Sequence, residues 1–174
     1  MKNNFSKYQG LGNDFIIFDA RSNNLDHLFS KNKDNFIQHL CNRNFGIGAD
    51  GIILILESNN KCFVRMKIYN SDGSEPEMCG NGIRCLIAFL NDNNEINELS
   101  EIPIETKAGL ILTSIDCNEN IKVNMGEPIL SPLDIPTKLL MNSLKVPNGV
   151  ITLKDQILNV YAASMGNPHM IVFV

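Results

Sequence analysis

The chain has 174 residues and a mass of 19.4 kDa, enough for one ordinary domain or for one domain with part of another. An apolar fraction of 44% and a charged fraction of 20% are typical of a globular protein with a packed core. The net charge of −4 argues against a nucleic-acid partner. The longest apolar run, Gly51 to Leu56, is too short to cross a bilayer, and no apolar stretch follows the N-terminus as in a signal peptide. We therefore expect a cytoplasmic protein with no membrane partner.

The number of cysteines argues against disulfides, and their spacing argues against zinc. An odd number of cysteines without a secretory signal indicates reduced thiols, and no C-x-x-C pair is present to bind a metal. We predict no metal site, and we expect at least some of these thiols to be small buried hydrophobes. The positions are Cys41, Cys62, Cys79, Cys85 and Cys117.

Most of the predicted elements are short β-strands separated by Asn, Asp and Gly turns. Ser58–Lys61 has the composition of a hairpin loop between two of them. In chain order, the predicted strands are Phe15–Asp19, Gly51–Glu57, Cys62–Tyr69, Ile102–Thr106, Leu110–Ile115, Ile121–Met125, Ile157–Ser164 and Met170–Val174.

Two segments have helical spacing of apolar residues. The first is Asp34–Arg43, with Asp34 as a candidate N-cap and Gly46 as a candidate stop. The second begins near Cys79 and runs toward Asn91, and it is apolar on nearly all sides, which indicates burial by a sheet on more than one face. The predicted fold class is α+β, with a curved, barrel-like mixed or antiparallel β-sheet wrapped around a central apolar helix.

A change of composition marks a predicted domain boundary. Ser131, Pro132 and Pro136 follow the last strand of the predicted meander, so we divide the chain into residues 1–127 and 128–174. The chain ends in the apolar segment Ile171–Val174, whereas termini usually lie at the surface. We therefore expect the second region to be the beginning of a further lobe in a longer natural protein.

One glycine-rich segment, Gly46–Gly51, has the spacing of a dinucleotide-binding fingerprint. That fingerprint needs a strand before the glycines and a helix after them, and here the predicted order is reversed. The alternative is a helix stop followed by a turn with a positive φ angle, and we favour it.

The segment from Asn70 to Cys85 carries the clearest indication of chemistry. A strand ends at Asn70, a polar turn follows, and a helix begins at Cys79, so that the thiol faces the N-terminal end of the helix dipole. This position favours the thiolate, and the free N–H groups of a first turn bind carboxylates well. Gly80 and Gly82 leave that turn without side-chain bulk. The structural alternative is a buried cysteine beside a flexible turn.

Three kinds of thiol chemistry fit this segment. A cysteine hydrolase needs a histidine base, and the only histidines are His27, His39 and His169. A redox thiol needs a resolving partner, but Cys85 falls on another face of the helix and is expected in the core. The third kind is proton transfer at carbon, with Cys79 as acid or base.

Seven motifs, in order along the chain, resemble those of the diaminopimelate epimerase family. The resemblance covers the whole chain, and related proline racemases carry His where this sequence has Asn81. The matching segments are Gly10–Phe15, Gly46–Gly51, Asn70–Ser74, Met78–Cys85, Glu105–Gly109, Val123–Gly126 and Met165–His169.

The resemblance implies conversion of LL-diaminopimelate to the meso form, a step toward lysine and peptidoglycan, without pyridoxal phosphate or another cofactor. It implies a fold of two pseudo-symmetric lobes, a homodimer, and Cys79 as one of two catalytic thiols. It places His169 near the reacting centre. The substrate contacts that it implies are Asn13, Asn70, Gly80, Asn81 and Asn167, although turn residues are the alternative for each asparagine in this Asn-rich chain.

Inversion of a stereocentre needs a group on each face of the substrate, and the second thiol is not evident here. Cys41 is predicted on an apolar helix face, Cys62 beside a hairpin loop and Cys117 in a polar turn. We therefore predict that the chain alone is inactive. The main alternative is an inert half-size relative that binds a small amino acid around Cys79–Asn81, and a redox or metal-binding thiol domain is a weaker one.

Overall fold

The computed structural model of the protein describes residues 4–22, 25, 29, 33–96 and 101–173. The chain forms two compact units, Met1–Asn124 and Met125–Val174, and each contains its own β-sheet. Among the described residues no helix is long and apolar enough to span a membrane.

The first unit is built on a mixed seven-stranded sheet whose spatial order follows the chain order. The pairs β2–β3 and β4–β5 are parallel and the other neighbours are antiparallel. The predicted curved mixed sheet is thereby confirmed. The hairpin predicted around Ser58–Lys61 is confirmed as well, but its loop covers residues 57–63, so Cys62 lies in the loop and not in β4. The strands are β1 (Ser6–Gly10), β2 (Asn13–Asp19), β3 (Gly51–Leu56), β4 (Val64–Asn70), β5 (Ile102–Thr106), β6 (Gly109–Ile115) and β7 (Ile121–Val123).

Two helices of this unit lie against the sheet. Helix α1 (Lys33–Cys41) packs on β3, and helix α2 (Gly80–Asp92) packs against β1, β2, β3, β4 and β7. The predicted burial of α2 on several sides is confirmed, because its side chains Ile83, Leu86, Ile87 and Leu90 are all fully buried. The sheet therefore wraps around an apolar helix and fixes the place where that helix begins.

Strand β3 explains how one sheet serves both helices. Ile52 and Leu54 belong to the apolar cluster that contains Ile37 of α1, whereas Ile53 lies against the first turn of α2. A strand covered on both faces has no polar face, which accounts for the unbroken apolar run of this segment.

The second unit contains a four-stranded antiparallel sheet in the order β11-β10-β9-β8. Ile129 and Ser164 form an additional bridge within the unit. The strands are β8 (Leu140–Met141), β9 (Pro147–Leu153), β10 (Gln156–Ser164) and β11 (Pro168–Val172).

Several predicted boundaries need correction. Three strands, β1, β8 and β9, were not predicted, since β1 is half polar and β9 opens with the turn residues Pro, Asn and Gly. Helix α1 ends at Cys41 rather than Arg43, and Asp34 lies in its first turn rather than at the N-cap. His27 lies outside the described residues.

Candidate functional site

The glycine-rich loop after α1 ends that helix and begins β3. The N–H group of Gly46 donates to the carbonyl of Asn42 at 2.9 Å, and that of Gly48 donates to the carbonyl of Leu40 at 2.9 Å. Gly48 has a φ of +79°, which glycine adopts without strain. The predicted helix stop is confirmed, and the order helix–loop–strand is the reverse of a dinucleotide site.

Cys79 is the N-cap residue of α2, as the sequence predicted. Its backbone is extended, with φ −147° and ψ 108°, and its sulfur accepts a hydrogen bond from the N–H of Gly82 at 3.4 Å. The thiol is half-buried. In a helix the first N–H groups have no partner within the helix, so those of Gly80 and Asn81 are directed toward the same region as the sulfur. The helix start therefore combines a thiol with donors suited to an anion.

The two glycines of this turn have different surroundings. Gly82 is buried, and a Cβ atom built on it would lie 2.9 Å from Cδ1 of Ile68 and 3.5 Å from Cδ1 of Ile53. Its missing side chain thus serves packing against the sheet, which corrects the expectation that it opens the turn to a ligand. Gly80 is only half-buried, and for this residue we keep the interpretation that the missing side chain leaves the turn open to a ligand.

Strand β1 comes close to the first turn of α2. A Cβ atom built on Gly10 would lie 3.5 Å from the carbonyl oxygen of Asn81 and 3.6 Å from Sγ of Cys85. Asn81 is half-buried here. The Gly10–Phe15 and Met78–Cys85 motifs, far apart in the sequence, are therefore neighbours in the fold.

Asn13 is the predicted contact residue that the fold brings directly to the thiol. The Cys79 thiol donates to Oδ1 of Asn13 at 3.9 Å, across 66 positions of the sequence. The amide Nδ2 of Asn13 donates to Oδ2 of Asp50 at 2.9 Å. Asn13 thus bridges the thiol and a carboxylate.

A charged cluster behind Asn13 was not predicted. Nη2 of Arg43 lies 2.7 Å from Asp14 Oδ1 and 2.8 Å from Asp50 Oδ1, and Lys7 Nζ lies 3.1 Å from Asp14 Oδ2. The hydrogen bonds from Arg43 hold the pKa of Asp14 well below its usual range. The sequence indicated this cluster only in that Asp14 lies in the Gly10–Phe15 motif and Asp50 in the Gly46–Gly51 motif.

Asn70 is the last residue of β4 and contacts the turn that follows it. Its Nδ2 donates to Oγ of Ser74 at 3.0 Å, and its backbone N–H donates to the carbonyl of Ser74 at 2.8 Å. The next residue, Ser71, donates its N–H to the carbonyl of Asp50 at 3.0 Å. Asn70 therefore ties the end of β4 to this exposed turn.

The remaining cysteines are in different environments. Burial raises the pKa of the Cys41 and Cys85 thiols to about 11, as expected for thiols in a core. Cys62 is half-buried and Cys117 is exposed. Within the described ranges no group of three or more His, Cys, Asp or Glu side chains could hold a metal ion.

Asn167 and His169 belong to the second unit. The carbonyl of Asn167 accepts a hydrogen bond from the N–H of Met165 at 3.3 Å in the turn between β10 and β11. His169 pairs with Ala163 in the sheet, is exposed, and lines a largely apolar cavity of about 380 Å³ with residues such as Ile151.

Comparison with other proteins places this site in a family context. A family model described as diaminopimelate epimerase matches residues 5–131, which include Asn13, Asn70 and Cys79. A diaminopimelate epimerase of Prochlorococcus marinus strain NATL1A is 99% identical over 174 residues, covering all of this chain and 61% of the relative. A chloroplastic diaminopimelate epimerase of Oryza sativa subsp. japonica is 44% identical over 170 residues, covering 97% of this chain and 47% of the relative.

Solved structures show the same fold at much lower identity. A hydroxyproline epimerase from Agrobacterium vitis matches with a TM-score of 0.66 at 14% identity, covering 97% of this chain and 50% of that one. A Bacillus anthracis protein of the PhzF phenazine biosynthesis family matches with a TM-score of 0.57 at 20% identity, covering 98% of this chain and 54% of that one. The chain thus spans 61% of the length of the Prochlorococcus marinus NATL1A relative and about half of the length of these structures.

Proposed function

The chain belongs to the diaminopimelate epimerase family, and on that premise we propose that Cys79 transfers the α-proton in the conversion of LL-diaminopimelate to the meso form. The observation that carries the proposal is the position of the thiol at the N-cap of α2, within hydrogen-bond reach of Gly82 N–H and Asn13 Oδ1. No other cysteine of the chain is an N-cap residue of either described helix.

The first turn of α2 supports binding of the substrate carboxylate. As Cys79 removes the α-proton, the electrons of the C–H bond move toward the carboxylate, which gains negative charge. The N–H groups of Gly80 and Asn81, together with the helix dipole, would stabilise that charge. In the proposed complex, the neutral amides of Asn13, Asn70, Asn81 and Asn167 contact the zwitterionic substrate, which they bind without adding charge.

The proton leaves from one face and another is delivered to the opposite face. In one direction the Cys79 thiolate takes the α-proton while a second acid donates to the carbanion, and in the reverse direction the two groups exchange roles. In this proposal His169 lies near the reacting centre. The step is balanced by two thiols, with no oxidation or reduction.

We propose that the second thiol is not among the other cysteines of this chain. Cys41 and Cys85 are buried with pKa values raised to about 11, so at neutral pH few of them are thiolates. Cys62 follows a hairpin loop and Cys117 lies in an exposed turn, each without a helix start. The relatives are longer than this chain, and their further length is where we place the partner thiol. The homodimer remains a proposal that rests on the family resemblance, and the cytoplasmic location remains one that rests on the cysteine count and the N-terminal sequence.

Solvent exchange at the α-carbon tests the role of Cys79. The long NATL1A relative and its variant at the position of Cys79 (Cys→Ala) would be incubated with LL-diaminopimelate in D₂O, and deuterium at the α-carbon followed by NMR. We expect the variant to lose about 10²–10⁴-fold in rate, as for removal of a general acid or base. The matched control is the variant at the position of exposed Cys117 (Cys→Ala), which should keep full activity.

Two results would overturn this proposal. Full activity without the Cys79 thiol would remove it from the reaction. The second result is saturable binding of diaminopimelate by the unmodified relative with neither exchange of the α-proton nor inversion at the α-carbon. That result would favour an inert amino-acid-binding protein instead.

A further inference from the structure

Asp50 joins three segments that surround the candidate site. Its Oδ2 accepts hydrogen bonds from Asn13 Nδ2 at 2.9 Å and from the N–H of Asp14 at 3.0 Å, while its Oδ1 lies 2.8 Å from Nη2 of Arg43. Its carbonyl accepts from the N–H of Ser71 at 3.0 Å. Both carboxylate oxygens are therefore engaged, one by a cation and one by the start of β2.

This arrangement fixes which end of the Asn13 amide faces the thiol. An ionised carboxylate only accepts hydrogen bonds, so Asp50 must be approached by the NH₂ end of Asn13. The carbonyl Oδ1 is then turned toward Cys79, at 3.9 Å from Sγ. The orientation follows from the chemistry of the carboxylate as well as from the distances.

The thiol consequently lies between one acceptor and one donor. Oδ1 of Asn13 accepts a proton from S–H, and the N–H of Gly82 donates to the sulfur at 3.4 Å. The first contact stabilises the thiol and the second stabilises the thiolate. A group that must act as both acid and base needs both forms to be accessible.

We propose that Asp50 is a positioning residue that holds the carbonyl end of the Asn13 amide against Cys79, and so keeps the thiol form available for proton donation. This proposal rests on the proposed function, because it assigns Cys79 an acid–base role. It adds a residue, Asp50, that does not itself contact the thiol in the structure.

The variant Asp50→Asn tests the orientation because it changes one atom of the side chain. The guanidinium of Arg43 takes the amide oxygen of the new residue, which leaves an NH₂ group at the place where Oδ2 accepted from Asn13 and from the N–H of Asp14. The N–H of Asp14 loses its side-chain acceptor in this variant. Asn13 must then turn to present its oxygen, and its NH₂ group faces the sulfur as a donor. The thiolate is favoured by this change.

The readout is the pH profile of iodoacetamide alkylation at Cys79 in the 174-residue chain, followed peptide by peptide with mass spectrometry. In Asp50→Asn we expect the profile to move to lower pH by on the order of one unit, equal to about a tenfold faster reaction on its rising limb. Asn13→Ala removes the acceptor and should move the profile the same way. Asp72→Asn, which removes an exposed carboxylate of the turn after β4, should leave it unchanged.

A double-mutant cycle separates orientation from simple loss of charge. If Asp50 acts through Asn13, Asp50→Asn adds no shift in the Asn13→Ala background, whereas a general charge effect persists there. An unshifted profile in either single variant overturns the proposal. So does a double variant whose profile lies below that of Asn13→Ala by the full shift that Asp50→Asn causes alone. Circular dichroism checks that each variant is folded, and Asp50→Ala serves as a second variant at this position. If both Asp50 variants are unfolded, Asp50 has a structural role, and that result also contradicts the proposal.

Failure of this inference and failure of the proposed function give different results. The alkylation profile needs no turnover, so a confirmed shift with no epimerisation in the longer relative would remove the function and leave the Asp50–Asn13–Cys79 contact intact. If epimerisation depends on Cys79 but the alkylation profile is not shifted in Asp50→Asn, the proposed function stands and the role of Asp50 is removed.

Discussion

Cδ1 of Ile68 lies only 2.9 Å from the position that a Cβ atom on Gly82 would occupy. Ile68 is buried in β4, and Gly82 is buried in the first turn of α2. This contact sets how closely the helix start approaches the sheet, and therefore where the Cys79 thiol is held.

We predict that Gly82→Ala lowers the free energy of unfolding by up to about 2 kcal/mol. Overpacking of a core costs about 1–3 kcal/mol, and the better helix propensity of alanine offsets part of it. In Ile68→Val the crowding methyl group is removed, so Gly82→Ala should cost less there than in the wild-type background. Urea denaturation of the four variants of this cycle measures the coupling, and additive effects would contradict the contact as the cause.

The cysteines should react with iodoacetamide in an order set by their surroundings. Because burial raises the pKa of Cys41 and Cys85 to about 11, only about one in a thousand of these thiols is ionised at pH 8. Half-buried Cys79 faces a helix start, and we expect it to be labelled well before both. Mass spectrometry of tryptic peptides after brief labelling checks this order. Equal rates for Cys79 and Cys85 would indicate that Cys79 is a structural residue, and Cys117, which is exposed, serves as the internal reference.

The sequence was sufficient to predict the elements that bury a continuous apolar face. The unbroken apolar run of β3 and the apolar periodicity of α2 were visible in the sequence because the side chains of both elements are buried. Glycine and asparagine residues at the flanking turns indicated where these elements begin and end. Strands β8 and β9 lack such a pattern, because most of their residues are exposed or half-buried. Their pairing depends on neighbouring strands, which local composition does not reveal.

For the candidate site, the sequence indicated the thiol but not its surroundings. A cysteine before Gly-Asn-Gly and an apolar helix is a local pattern, so Cys79 as N-cap could be predicted. The contact with Asn13 and the carboxylates of Asp14 and Asp50 join segments that are distant in the chain. The parallel pairing of β2 with β3, which sets Phe15 opposite Gly51, brings Asp14 beside Asp50. The packing of α2 on β1 and β2 brings Cys79 to Asn13.

Asp14 should make the stability of the first unit sensitive to acid. Its pKa is lowered chiefly by hydrogen bonds from Arg43, so its contribution is fully present above its unfolded pKa of about 3.9 and is lost as the pH falls through the lower folded value. At pH 7 we expect Asp14→Asn to cost about 2 kcal/mol, as for hydrogen bonds to a charged group.

Because the wild-type carboxylate becomes protonated in acid, the difference between the two proteins should shrink at low pH. Denaturation at pH 7 and near pH 2 measures it. The control Asp155→Asn removes an exposed carboxylate in the turn between β9 and β10 and should have little effect. An undiminished difference in acid would show that Asp14 stabilises the fold through something other than its charge.

The 174-residue chain by itself should show negligible epimerisation of LL-diaminopimelate. Inversion needs a second proton-transfer group opposite Cys79, since a single base returns the proton to the face from which it came. The other thiols are either buried with pKa values raised to about 11, as for Cys41 and Cys85, or lie away from helix starts. The assay compares formation of the meso form by this chain with that by the long NATL1A relative, at equal concentration of folded protein. Loss of the α-proton to D₂O with retention of configuration is compatible with a single working thiol, whereas measurable inversion by the chain would refute the prediction and require a second base within it.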